Sequence, residues 1–158
     1  MELNTRGRYA VMAMADLARS CQDDGSVPLS AIAERQMISL AYLEQLFGRL
    51  RRAELVDSVR GRSGGYKLSR SAATITVADV MAAVEETTEM TRCGHDASEP
   101  CLAGKRCLTH GLWDALGDHI DQFLSNVTLQ QVIDGRIGRV PPVRTTPEVI
   151  FTGGIVAR

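Results

Sequence analysis

A chain of 158 residues, 44% apolar and with a formal net charge of −1, suits one compact domain, or a small domain with appendages, around an ordinary core. No run approaches the roughly 20 apolar residues that cross a bilayer. Residues 1–8 lack the basic-then-apolar layout of a signal peptide, so the composition points to a cytoplasmic protein without a membrane partner.

The near-neutral total hides a segregation. Residues 49–70 carry seven basic side chains against Glu54 and Asp57, a net of +5, whereas residues 71–134 carry ten acidic against three basic, a net of −7. A basic block in a neutral chain suits contact with phosphate, while the acidic part stays off it. Taken alone, the block reads equally well as a solvated charged face.

In chain order, Asn4 or Thr5 can cap a first helix to about Ser20, with Tyr9/Ala10, Ala13/Met14 and Leu17/Ala18 at helical spacing. Gln22 to Ser26 reads as a loop. Pro28 opens a short helix with Leu29, Ile32 and Ala33 inward. Ser39 is a good N-cap for a third helix, in which Leu40, Leu43, Leu46, Phe47 and Leu50 form a buried stripe. The other face of that helix holds Ala41, Tyr42, Glu44, Gln45, Gly48, Arg49 and Arg52. Two short helices joined by a tight turn, the second with a polar and basic outer face, make a helix-turn-helix pattern.

Leu55-Val56 and Tyr66-Lys67-Leu68 then read as the strands of a hairpin whose tip, Val59 to Gly65, is made of Gly, Ser and Arg. A helix-turn-helix followed by a basic hairpin is a winged helix. Thr76 with Asp79 predicts a capping box for a fourth helix bearing Val77, Val80, Met81 and Val84. Residues 87–105 are irregular. A long helix begins near Leu108, with Leu112, Leu116, Ile120, Phe123, Leu124 and Val127 along one stripe. So long a stripe in so small a chain is expected to pack against a second copy, giving a homodimer; packing within the chain is the alternative. Thr128 caps a last short helix to about Ile133, and the remainder reads as a flexible tail.

The expected fold is therefore mainly α with a small β-hairpin: a winged helix-turn-helix domain plus a long dimerisation helix. Residues 1–70 form the DNA-binding domain, 71–107 a linker helix and a cysteine-bearing loop, 108–134 the dimerisation helix and terminal helix, and 135–158 the tail.

The third helix is expected in the major groove of double-stranded DNA, on a palindromic operator if the chain is dimeric. Gln45 can pair with adenine and Arg49 with guanine or phosphate, while Glu44 repels phosphate but accepts from a cytosine amine. Arg60 and Arg62, around Gly61 on the wing, suit the narrow minor groove. Arg6 and Arg8 are placed for phosphate. Ser39, Ala41 and Tyr42 at the start of the reading helix complete the set. Each arginine alone is an ordinary solvated charge; the set, at these places, favours DNA.

Cys93, Cys101, Cys107 and His110 offer three thiols and an imidazole within eighteen residues. Thiolates suit iron–sulfur clusters or zinc, and the histidine completes four donors. Spacing leaves a cluster, a zinc site and a thiol switch all open, although the C-x2-C knuckles common in structural zinc are missing. His95 lies inside the loop as a competing donor whose ordinary reading is a solvated histidine. Cys21, far off, reads as a small helix-packing residue. No catalytic motif is present: there is no phosphate-binding glycine loop, nucleophile elbow or H-E-x-x-H, and no enzymatic activity is expected.

The run from Ser39 to Phe47, Val59-Arg60-Gly61 with Gly64-Gly65-Tyr66, the opening Arg6-Gly7-Arg8-Tyr9, and Cys107-Leu108-Thr109-His110 with Trp113 closely resemble the IscR family. These are bacterial iron–sulfur cluster regulators, and their helix-turn-helix is shared with sensors of nitric oxide and redox state. The resemblance covers residues 1–133. It implies a homodimer that binds a [2Fe–2S] cluster through Cys93, Cys101, Cys107 and His110. The cluster-bound form would repress the genes for cluster assembly, and the apo form would bind a second class of sites. It also implies that Glu44 discriminates between the site classes, Gln45 reads bases and Arg60 enters the minor groove. Two features depart from the family: seven residues separate Cys93 from Cys101 where five are usual, and Ala41 stands where the family has a serine.

Overall fold

The structure, a computed structural model, describes residues 5–21, 25–61, 64–85 and 107–138. Among the described residues six helices and one hairpin follow in order: α1 (Thr5–Ser20), α2 (Leu29–Gln36), α3 (Leu40–Arg52), β1 (Val56–Val59), β2 (Gly65–Leu68), α4 (Val77–Ala83), α5 (His110–Asn126) and α6 (Leu129–Ile133). The strands pair antiparallel with Val56 opposite Leu68 and Val59 opposite Gly65. This is the mainly helical winged-helix architecture expected from the sequence.

Local signals account for most of the boundaries. The Ser39 side chain accepts from the Tyr42 N–H at 3.3 Å, capping α3. Reciprocal capping boxes, Thr76 with Asp79 and Thr128 with Gln131, start α4 and α6. The α2–α3 turn closes through Met37 in the left-handed region, φ 55°, and the Ile38 N–H donates to the Ala33 carbonyl at 3.1 Å.

One core joins the elements. Ala10, Met14 and Leu17 of α1 meet Ile32 of α2 and Leu43, Leu46, Phe47 and Leu50 of α3; Ile75, Val80, Val84 and Leu129 enter the same core. The wing is tied down at its base. Val27 exchanges both backbone hydrogen bonds with Tyr66, at 2.8 and 2.9 Å, and the Tyr66 ring meets Phe47 edge-on. This close approach demands glycine at position 65, since a Cβ there would lie 2.4 Å from the Val27 carbonyl oxygen. A second non-local pairing joins the caps of α4 and α6: the Val77 N–H donates to the Val127 carbonyl at 2.8 Å, and the Leu129 N–H to the Ile75 carbonyl at 2.9 Å.

Two expectations change. Leu40, assigned by periodicity to the buried stripe of α3, is exposed. It lies in the first turn of α3, one turn ahead of Leu43, where the stripe enters the core. The stripe of α5 also divides. Phe123, Leu124 and Val127 pack with Val77 and Met81 of α4, whereas Leu112 is 61% exposed and Leu116 and Ile120 join neither apolar cluster. Among the described residues, packing within the chain thus accounts for the C-terminal end of the stripe. The irregular loop and the tail beyond residue 138 lie outside the described residues.

Candidate nucleic-acid interface and metal site

The reading face is built on α3. Its core stripe faces α1 and α2, which turns Ala41, Glu44 and Gln45 outward, all exposed. Tyr42 is half-buried, its ring edge-on to Tyr9 at 6.1 Å. Ser39 is exposed, with its oxygen committed to the cap. Arg8 and Arg60 are exposed, and Gly61, φ 121°, turns the chain at the wing tip, where the Gly64 N–H donates to its carbonyl at 2.9 Å. Arg62 lies outside the described residues.

Two of the candidate arginines have partners inside the chain. Arg49 Nη1 donates to Glu85 Oε2. Arg6 Nη1 donates to the Val84 carbonyl at 3.4 Å. Both therefore converge on the end of α4, immediately before the segment that carries Cys93 and Cys101. The hydrogen bond from Arg49 and then its charge hold the Glu85 carboxyl below the ordinary glutamate range, with Arg6 and Arg52 adding to the effect. Glu85 did not stand out in the sequence: it is 36 residues from Arg49, and no local pattern joins them.

A buried carboxylate orients the helix-turn-helix from behind. Asp16 of α1 has a side chain only 1% exposed and accepts from Arg35 of α2 through Nε and Nη2, at 3.0 and 2.8 Å. Arg19 adds a third contact at 3.4 Å. The fork geometry fixes α2 against α1 in direction as well as distance. This pair, too, was invisible to pattern reading, because the residues sit on different helices.

Of the four candidate metal donors, two are described. Cys107 is half-buried, its Sγ 3.6 Å from Thr109 Oγ1. His110 is buried, and its backbone N–H donates to the Cys107 carbonyl at 3.1 Å, so both residues belong to the turn that leads into α5. Cys93, Cys101 and the competing His95 lie outside the described residues, and among the described residues no three His, Cys, Asp or Glu side chains converge on a metal position. Cys21 packs against the core as expected, its thiol 3.8 Å from the Tyr66 carbonyl and pushed up in pKa by burial.

Among the described residues no helix is long and apolar enough to cross a membrane. Known proteins match this arrangement along most of the chain. The HTH-type transcriptional regulator IscR of Photorhabdus laumondii is 52% identical over 136 residues, covering 86% of this chain and 81% of that protein. Among solved structures, T. potens IscR superposes with a TM-score of 0.69 at 36% identity, covering 85% of this chain and 88% of its own. CymR, the global cysteine regulator of B. subtilis, superposes with a TM-score of 0.70 at 30% identity, covering 85% and 98%. The names these relatives carry are those of regulators. Residues 3–135 match the Rrf2 family, described as iron-dependent transcriptional regulators, and with its reading helix, wing and long helix in that order the chain belongs to the Rrf2 family.

Proposed function

We propose that this protein is an iron–sulfur cluster-sensing repressor of cluster-biogenesis genes, acting as a homodimer on palindromic DNA. The observation that carries the reading is the pair Cys107 and His110 at the start of α5. A thiol and a buried imidazole sit on the turn that leads into the helix whose N-terminal apolar stripe joins neither core cluster among the described residues. Whatever binds them acts directly on the dimer helix.

The donor set fits a [2Fe–2S] cluster. Thiolates and a single imidazole are donors that iron in such clusters accepts, and Cys93, Cys101, Cys107 and His110 supply four. When bound, the cluster supplies a cross-link between the loop and α5 that exists only when cluster supply is adequate. The family description as iron-dependent, and the relatives that carry the IscR name, support this reading.

The remaining residues do the reading. Gln45 pairs with adenine, Glu44 accepts from cytosine and rejects other sites, Arg60 and Arg62 enter the minor groove, Arg8 holds phosphate, Ser39 caps the reading helix, and Arg6 and Arg49 reach phosphate on leaving Val84 and Glu85. Tyr42, Ala41 and Gly61 shape the same face. Ordering the loop repositions the two reading helices of the dimer, so cluster-bound protein represses and apo protein takes a second class of sites.

The test is His110→Ala, purified without oxygen and compared with wild type on duplexes selected from a randomised pool. The expected variant loses the cluster chromophore and one site class while keeping the other. A variant that keeps both chromophore and site choice overturns the assignment of His110. Zinc without sulfide in the wild type would instead show a zinc-stapled regulator. A cluster whose removal by nitric oxide or oxidation, and not by supply, switches site choice would show a redox sensor on the same fold.

A further inference from the structure

The start of α3 carries an apolar patch that the core does not use. Met37 is 93% exposed and Leu40 42% exposed, with Ala41 exposed beside them. Leu43, Leu46, Phe47 and Leu50 of the same helix are fully buried or nearly so, which sets Leu40 apart from its own stripe. Isolated apolar residues on a surface are ordinary, but three within five positions form a patch, and a patch rimmed by polar residues marks a contact surface. The rim here is Glu44 and Gln45, four residues on from Leu40 and Ala41 and so directly beside them on the helix surface.

The place of the patch selects its occupant. The N-terminal residues of a reading helix face base edges in the major groove. On those edges the apolar feature is the 5-methyl group of thymine. We propose that Leu40 and Ala41, flanked by Met37, form a thymine-methyl subsite that sets sequence specificity next to the bases read by Glu44 and Gln45. An adenine paired with Gln45 brings its partner thymine to the same groove, so the polar and apolar halves of the face read neighbouring features. Alanine at position 41 suits this chemistry: its methyl adds to the apolar surface, where a hydroxyl would demand a hydrogen bond.

The subsite rests on the DNA-reading role proposed above, and the experiment separates the two. Full-length protein first selects duplexes from a randomised pool. Each thymine of the selected half-site is then replaced by uracil, which removes only the methyl group. At one thymine or more, the replacement is expected to weaken binding about fourfold for each half-site, the value of one buried methyl group. In Leu40→Ala the thymine-to-uracil ratio at that position falls toward one, while the melting temperature stays near wild type because Leu40 lies outside the core. The subsite is overturned if uracil is tolerated at every selected thymine, or if Leu40→Ala weakens binding but keeps the same ratio. A pool from which nothing is enriched overturns the DNA-reading role and the subsite with it.

Discussion

The body of the protein and the first half of α5 obey the same hydrophobic periodicity with opposite outcomes. In the body, the apolar positions of α1, α2 and α3 close on one another, and Ile75, Val80, Val84 and Leu129 complete the core. In α5, an equally regular stripe joins a core cluster, among the described residues, at its C-terminal end, against Val77 and Met81; Leu112, Leu116 and Ile120 are outside both apolar clusters. Periodicity therefore shows that a face wants burial, and only the tertiary contacts show whether its own chain supplies it. One region is self-sufficient. The other is, in the proposed dimer, half an interface, with the proposed cluster donors Cys107 and His110 at its start.

Variants at the two regions break this contrast in different ways. The largest effect on stability belongs to the body. Phe47 is fully buried, its ring centroid 4.9 Å from that of Tyr66. Phe47→Ala is expected to cost about 3–5 kcal/mol in urea unfolding; a loss under about 1 kcal/mol would mean that the core is not closed as described. In α5 the effect should fall on association. Ile120→Asp places two charges in the proposed dimer and removes two apolar contacts, and sedimentation should show the dissociation constant raised about 100-fold or more. A variant that remains as dimeric as wild type would place the interface elsewhere.

Asp16→Ala removes the buried partner of Arg35 and should cost about 1–3 kcal/mol, toward the lower end because the Arg35 side chain is 38% exposed. Arg35→Lys, which keeps the charge but not the fork, should lose part of that. An unchanged urea midpoint in Asp16→Ala would remove the pair from the account of how α2 is held.

The smallest effect is at Glu85. Glu85→Gln frees Arg49 for phosphate and should strengthen non-specific DNA binding by no more than about threefold. Because Arg49 holds the Glu85 carboxyl below its ordinary range, the pair is complete above the usual glutamate pKa. It is lost only as pH falls through the lowered value. The difference between wild type and variant should accordingly be full at neutral pH and fade under acid. A difference that instead grows on acidification would contradict the pairing.

What the sequence made legible was local. Ser39, Thr76 with Asp79, and Thr128 lie within one turn of the groups they cap, so each helix start could be named from a few residues. Cys107 and His110 are equally local, three residues apart on one turn. What it hid was contact at a distance. Asp16 with Arg35, Arg49 with Glu85 and the pairing of Val77 with Val127 join elements 19, 36 and 50 residues apart, and no spacing rule connects them. Leu40 shows the converse error. It continues a perfect helical stripe, yet it lies one turn beyond the part of α3 that the core covers, where periodicity no longer implies burial.

The proposed function depends above all on Cys93, Cys101, Cys107 and His110 holding an iron–sulfur cluster. The most direct test is the visible spectrum of protein purified without oxygen, with iron, inorganic sulfide and zinc measured on the same sample. A bound [2Fe–2S] cluster should give visible absorption with iron and sulfide in about equal amounts. A colourless protein containing zinc and no sulfide would contradict it.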